Sequence, residues 1–202
     1  LFGLRRSGKT SIIYGVQRAI VTRGGCSIVI DCQSPSIHQR RLNDLLYYIV
    51  NQIKEQNRLS INLRKQSTYS EVHAAESFLN DLRALKNRMK AEFFALIFDE
   101  IERISIGTAS SQHWNSERDF LLFWQAIRFG FQTSESPFTF LIVGTNPSAV
   151  ERLKVFESDN PLFGNVEKRF IPMFDQSQVK DMINSLGSVM GVNFDDHSVA
   201  KL

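Results

Sequence analysis

Cysteines, histidines and long apolar runs are scarce in this sequence, and neither sign of charge dominates. Two cysteines, Cys26 and Cys32, are too few for a disulfide-stapled fold and are typical of the reducing cytosol. The four histidines share no metal-ligand spacing, so a histidine-based metal site is not expected. No window approaches the roughly 18 apolar residues that a membrane span needs. These absences predict a cytoplasmic globular protein without a membrane partner.

The net charge and the composition are ordinary. The formal charge of +3 is too small to indicate a nucleic-acid partner by itself. Hydrophobic residues make up 43% of the 202 residues and charged residues 22%, as in globular domains, and the length predicts one domain or slightly more. The chain begins with Leu1 rather than Met, where we predict the end of a strand. We therefore expect these residues to be part of a longer protein.

Hydrophobic periodicity predicts alternating strands and helices. The predicted strands span residues 27–31, 93–98, 137–143 and 170–171. The predicted helices span 9–21, 37–56, 70–90, 117–130 and 175–190, and a last helix begins at Asp195 or Asp196. This alternation is typical of an α/β fold with a parallel sheet covered by helices on both faces. It predicts an α/β domain over 1–173 and a separate helical unit over 174–202.

Residues 3–10, which we call the glycine loop, fit the phosphate-binding pattern G-x4-G-K-[ST] at every position. Its glycines let backbone N–H groups curl around a phosphate, and the helix predicted from Lys9 points its positive end at the same anion. Lys9 would reach the β- and γ-phosphates of a nucleotide, and Thr10 would offer its hydroxyl to Mg²⁺. The alternative is a glycine-rich turn that merely precedes a helix.

The loop and its surroundings supply a set of candidates for phosphate binding. Arg5 and Arg6 either add positive charge near the phosphates or extend into solvent, and the sequence leaves both readings open. The phosphate-binding candidates are Gly3, Arg6, Ser7, Gly8, Lys9, Thr10 and Ser11.

Two further predicted strands end in polar residues. Asp99 and Glu100 follow a buried apolar run, where Asp99 would hold Mg²⁺ and Glu100 would orient and deprotonate an attacking water. The alternative is an acidic pair that caps the next helix. Thr145 and Asn146 follow the next strand and would hydrogen-bond the γ-phosphate or the water, unless Asn146-Pro147 is simply a turn. Parallel strands would bring these ends and the glycine loop to one edge of the sheet.

These motifs resemble those of the P-loop ATPases of the AAA+ and STAND type. The glycine loop resembles the Walker A motif, residues 98–100 resemble the Walker B motif, and Asn146 resembles the sensor 1 residue. The form of the glycine loop and the segment 160–164 are most similar to bacterial and archaeal STAND-like ATPases. The resemblance covers essentially the whole chain.

The resemblance carries expectations about the fold. It implies a three-layer P-loop NTPase of the ASCE/AAA+ type, with a parallel sheet in the order 5-1-4-3-2. The first strand would be cut short, and the helices after Asp175 would begin a helical lid. An arginine finger precedes the last strand in AAA+ proteins, where Arg169 stands in this sequence; the alternative is a solvated basic residue.

The functional hypothesis is an ATP-hydrolysing switch of a signalling or defence protein, with ATP and Mg²⁺ as ligands. The guanine-reading pattern Asn-Lys-x-Asp is absent, which favours ATP over GTP. Glu100, Lys9, Asn146 and Arg169 are the predicted catalytic residues, and Thr10 and Asp99 are the predicted metal ligands. The expected partners are ATP and ADP, further copies of the chain, or effector and sensor domains outside this sequence. Two alternatives stay open: a nucleotide-gated assembly scaffold with negligible turnover, and an AAA+ ATPase acting on DNA-bound complexes.

Overall fold

A parallel sheet is the central feature of the computed structural model, which describes residues 1–116, 118–133 and 135–192. Strands β1 (Cys26–Asp31), β2 (Phe94–Asp99) and β3 (Phe138–Ile142) pair in the order β1-β2-β3. Their runs of β-branched and aromatic residues suit strands that are buried under helices on both faces. Asp31 stands beside Asp99 in the ladder, so β1 and β2 end at the same edge of the sheet.

The prediction of a five-stranded P-loop NTPase sheet in the order 5-1-4-3-2 is wrong, because the sheet formed by the described residues contains three strands. At the predicted first and last strands, Phe2 makes isolated parallel bridges with Gly144 and Phe170. Two residues precede the glycine loop in this sequence, which is too short a segment for a ladder. Pro172 follows Phe170 closely and lacks the N–H group that continued pairing requires. The observed fold is a mixed α/β fold.

Helices cover both faces of the sheet. Ala95 and Ile97 of β2 point to one face, where they pack with Ile13 of the first helix. Leu96 and Phe98 point to the opposite face and join the larger core under three long helices, which span Leu42–Gln56, Ala74–Met89 and Asp119–Phe131. The helices that accompany the sheet are α1 (Lys9–Thr22), α2 (Pro35–His38), α3 (Leu42–Gln56), α4 (Ala74–Met89), α5 (Gln112–Asn115), α6 (Asp119–Phe131) and α7 (Ser148–Glu151), with 3-10 turns at Gln66–Thr68 and Ile101–Ile104.

The single helix predicted over residues 37–56 is instead two helices, α2 and α3. Arg41 between them is extended, with a ψ of 161°. In this conformation its guanidinium donates two hydrogen bonds, of 2.8 and 2.7 Å, to the buried carboxylate of Asp119 on α6. The same carboxylate accepts the N–H of Leu42 at 3.0 Å and so caps α3 from another element. The apolar spacing of the sequence cannot reveal a break that a distant residue causes.

The chain divides into two compact units, Leu1–Phe170 and Ile171–Leu202. The first unit contains the parallel sheet and also a small antiparallel pair that the sequence did not predict, β4 (Lys154–Val155) and β5 (Ser158–Asp159). Within the described ranges, no helix has the length and apolar character that crossing a membrane would require.

The second unit contains helix α8 (Gln176–Met190), and the helix predicted over 175–190 is confirmed. The Asp175 carboxylate accepts the N–H of Gln178, and the Gln178 side chain accepts the N–H of Asp175, which forms a capping box. Gly191, with a φ of 71°, ends the helix in the left-handed conformation. The last predicted helix, from Asp195 or Asp196, lies outside the described residues.

Candidate functional site

The glycine loop lies at the edge of the sheet where β2 and β3 end. The N–H of Gly3 donates to the carbonyl of Gly144, which is the second residue after β3, at 3.1 Å. A cavity of about 580 Å³ opens between the loop and the end of β2. Its lining residues are Arg5, Arg6, Gly8, Lys9, Thr10, Gln33, Asp99 and Glu100.

Two left-handed residues give the glycine loop its curvature. Arg6 has a φ of 64° and Gly8 a φ of 86°. A Cβ atom at Gly8 would meet nothing within 4 Å, so the glycine is needed for its backbone conformation and not for space. Gly8 is also the N-cap residue of α1, and it lines the cavity with Lys9 and Thr10, the first two residues of the helix, whose N–H groups have no partner within the helix. Such a turn into a helix N-terminus suits an anion.

Lys9 is a buried cation inside the loop. The residue is 7% exposed, and Nζ donates to the carbonyls of Gly3 and Leu4 at 3.0 Å each. A longer contact of 3.5 Å joins Nζ to Oγ1 of Thr145. None of the salt bridges among the described residues includes Lys9. A buried ammonium held by neutral oxygens alone is costly, and an anion in the cavity would compensate its charge.

The two acidic residues line the same cavity as Lys9. Asp99 is the last residue of β2, and Glu100 follows it in the left-handed conformation, with a φ of 51° and a ψ of 48°. The N–H of Glu100 donates to Oδ1 of Asp99 at 3.0 Å. The left-handed residue turns the chain sharply at the end of the strand. This turn lets two consecutive carboxylates border the same cavity.

The surroundings of Asp99 favour its neutral form. Burial raises the pKa of Asp99 above its ordinary value of 3.8, and the nearby charges of Asp31 and Glu102 raise it further. The N–H of Glu100 and the charge of Lys9 act in the opposite direction. A carboxylate that is half-buried among other acids gains from a bound cation, which would hold it in the charged form.

The residues at this edge fit the polyphosphate part of a nucleotide. The cavity lies within the range of about 300–1,000 Å³ that is usual for small-molecule sites. Lys9, Arg5 and Arg6 supply positive charge, and the α1 N-terminus supplies N–H groups. The hydroxyl of Ser7 is buried without a hydrogen-bond partner among the described residues. Such an orphaned donor inside the loop is suited to a phosphate oxygen.

Asp99 and Thr10 fit a Mg²⁺ ion better than they fit a metal held by the protein alone. Residues 1–116, 118–133 and 135–192 contain no group of three or more His, Cys, Asp or Glu side chains arranged around a metal position. Mg²⁺ does not need one, because it commonly uses one or two carboxylates together with substrate phosphates and water. Asp99 and Thr10 border the same cavity, as this mode of binding requires.

Five of the predicted site residues do not line the cavity: Gly3, Ser7, Ser11, Asn146 and Arg169. Gly3 and Ser7 lie within the glycine loop itself. Ser11 is exposed in the first turn of α1. Asn146 is exposed, and its Oδ1 accepts the N–H of Ser148 at 2.9 Å, as in a turn. Arg169 is exposed and pairs with Glu167 at 2.6 Å. Their roles in phosphate binding and catalysis stay predictions.

Sequence reasoning missed two residues at the end of β1. Gln33 lines the cavity, and its N–H donates to Oδ1 of Asp31 at 3.0 Å. Asp31 stands beside Asp99 in the ladder and raises the pKa of that residue. The signal was present in the sequence, because Asp31 ends a predicted strand just as Asp99 does.

Sequence reasoning also missed Glu102. Its Oε1 accepts the backbone N–H groups of both Thr145 and Asn146 just after β3. This carboxylate therefore joins the turn after β2 to the residues after β3. No local pattern signals such a contact, since 43 residues separate Glu102 from Thr145.

Comparison with known proteins gave no family assignment. No protein-family model matches the chain, and no curated protein matches it either.

Proposed function

We propose that this protein binds ATP together with Mg²⁺ and hydrolyses the γ-phosphate. The observation that carries the proposal is the burial of Lys9 beside the cavity. Among the described residues, no carboxylate lies within salt-bridge distance of its ammonium group. Phosphate is the anion that suits a glycine loop followed by a helix N-terminus. The neighbouring carboxylates supply a binding site for the cation that accompanies the phosphates of a nucleotide.

Each group at the cavity has a separate task in this proposal. Lys9 and the N–H groups of the glycine loop bind and orient the phosphate chain. Asp99 and Thr10 hold Mg²⁺, which when bound neutralises charge on the phosphate oxygens. Glu100 orients a water molecule and accepts its proton as the water oxygen bonds to the γ-phosphorus and the bond to the ADP oxygen breaks. The products are ADP and inorganic phosphate.

The biological role rests on the motifs. Their resemblance to those of STAND and AAA+ ATPases supports a cytoplasmic nucleotide-driven switch in signalling or defence. In this role hydrolysis resets a conformational or oligomeric state, through self-association or through effector and sensor domains outside this sequence. Asn146 and Arg169 would act on the γ-phosphate or the attacking water in such a state.

Glu100→Gln tests the catalytic part of the proposal. The amide cannot accept the proton, so kcat should fall by about 10²–10⁴-fold, while the affinity for ATP with Mg²⁺ stays unchanged. Steady-state phosphate release and equilibrium binding of a fluorescent ATP analogue measure the two quantities. Glu76→Gln, an exposed residue of α4, is the matched control and should leave both unchanged.

Two outcomes would redirect the proposal. Hydrolysis at the normal rate by Glu100→Gln would show that Glu100 is not the base. A natural-sequence protein that binds ATP and changes its mass in light scattering, with no measurable phosphate release, would favour the assembly scaffold instead.

A further inference from the structure

Glu102 lies in the 3-10 turn after β2 and holds the residues that follow β3. Its Oε1 accepts the backbone N–H groups of Thr145 and Asn146. Hydrogen bonds to a charged acceptor are stronger than those between neutral groups. One carboxylate oxygen therefore fixes two consecutive peptide groups at the edge of the sheet.

The approach of Glu102 depends on Gly144. A Cβ atom at position 144 would lie 2.9 Å from both Oε1 and Oε2 of Glu102 and 2.8 Å from Cγ2 of Ile101. Real Cβ atoms do not approach other atoms so closely, so a larger residue would displace the carboxylate. The glycine thus makes room for this contact.

The held segment extends to the centre of the glycine loop. Thr145 Oγ1 lies 3.5 Å from Nζ of Lys9, whereas Oδ1 of Asn146 is occupied by the N–H of Ser148. Thr145 is therefore the polar side chain after β3 that lies next to the phosphate-binding ammonium. Its position depends on the peptide group that Glu102 fixes.

We propose that Glu102 is a positioning residue for ATP hydrolysis, which acts by holding Thr145 against Lys9. The inference rests on the proposed ATPase function and extends it by one residue. Glu102 touches neither the nucleotide nor the water in this role. It keeps the Thr145 hydroxyl and the Lys9 ammonium in the arrangement that the γ-phosphate meets.

Three variants change the contact of Glu102 with the two N–H groups in different ways. Oε1 alone accepts both N–H groups, and Oε2 is buried without a partner among the described residues. Glu102→Gln keeps an acceptor oxygen in place of Oε1, whereas Glu102→Ala removes it. Gly144→Ala keeps the carboxylate and pushes it away from the two N–H groups.

Hydrogen exchange without nucleotide tests the contact itself. In Glu102→Ala the amides of Thr145 and Asn146 should exchange about tenfold faster or more, since each loses a bond to a charged acceptor. Glu102→Gln should retain most of the protection, and Glu76→Ala on α4 should retain all of it. Unchanged exchange in Glu102→Ala would overturn the inference.

Kinetics test the positioning role. Glu102→Ala should lower kcat on the order of 10- to 100-fold with a smaller change in the affinity for ATP, as expected for a misplaced group. Glu102→Gln should recover most of the lost kcat. A role in stability alone would instead lower the Tm and leave kcat normal in the folded fraction, which would refute the positioning role. Equal losses of kcat in the Gln and Ala variants would refute it as well.

Gly144→Ala replaces Glu102→Ala in these experiments if the latter does not fold, and it should show the same faster exchange and reduced kcat.

Failure of the inference and failure of the proposed function give different results. If the natural sequence neither binds nor hydrolyses ATP, the proposed function fails, and the kinetic role of Glu102 fails with it. The exchange experiment still decides whether Glu102 holds Thr145 and Asn146. If the natural sequence hydrolyses ATP and Glu102→Ala does so equally well, only the inference is refuted.

Discussion

Two residues of opposite charge, the buried Lys9 and the half-buried Asp99, line the same cavity. Lys9 is 7% exposed and bonded to neutral oxygens, and burial raises the pKa of Asp99. A phosphate beside Lys9 and a cation beside Asp99 would compensate the cost of both charges. The free-energy cost of burying these two charged groups is expected in a site that binds a charged ligand.

Asp99→Asn should therefore stabilise the metal-free protein at neutral pH. Because the pKa of Asp99 is raised in the folded state, the folded protein holds a proton that the unfolded chain releases near pH 3.8. Stability is then lost as the pH rises from that value through the folded pKa, and the asparagine avoids this loss. Thermal melts from pH 3 to 7 should show a Tm advantage that grows with pH. A lower Tm than the natural sequence at pH 7 would contradict this prediction.

At the scale of elements, the start of α3 depends on a buried carboxylate of α6. Arg41→Ala would leave Asp119 in the core with the N–H of Leu42 as its remaining partner in this contact. Arg41 is about half exposed, so we expect a loss of about 1–3 kcal/mol and not the full cost of breaking a buried pair. Urea denaturation measures the change. Arg18→Ala, on the exposed side of α1, is the control, and an equal effect of both variants would contradict the prediction.

The sequence predicts elements well where their signals are local. The capping box of Asp175 and Gln178 lies within four consecutive residues, and the helix that follows begins as predicted. The break before α3 was missed because its cause, Asp119, is 77 residues away from Leu42. The same distinction holds at the site. The glycine loop and the acidic pair were found from short patterns, whereas the contacts of Glu102 arise from tertiary structure.

At the scale of the whole molecule, segments that are far apart in sequence meet at one edge of a parallel sheet. The glycine loop, Gln33 and the pair Asp99 and Glu100 line one cavity because the strands before Gln33 and Glu100 end at the same side. The expected five-stranded arrangement was wrong, since Phe2 and Phe170 contribute single bridges in place of strands. Three strands are nonetheless sufficient to bring these polar groups together.

Calorimetric titration of ATP into the protein in the presence of Mg²⁺ tests the proposed site most directly. The natural sequence should bind one ATP in a saturable manner, and Lys9→Ala should weaken the affinity by about tenfold or more, because a charge-assisted bond to phosphate is lost. Lys168→Ala, which removes a surface partner of Glu151, should bind as tightly as the natural sequence. No binding of ATP at millimolar concentration, or equal affinity of Lys9→Ala and the natural sequence, would contradict the assignment of this cavity.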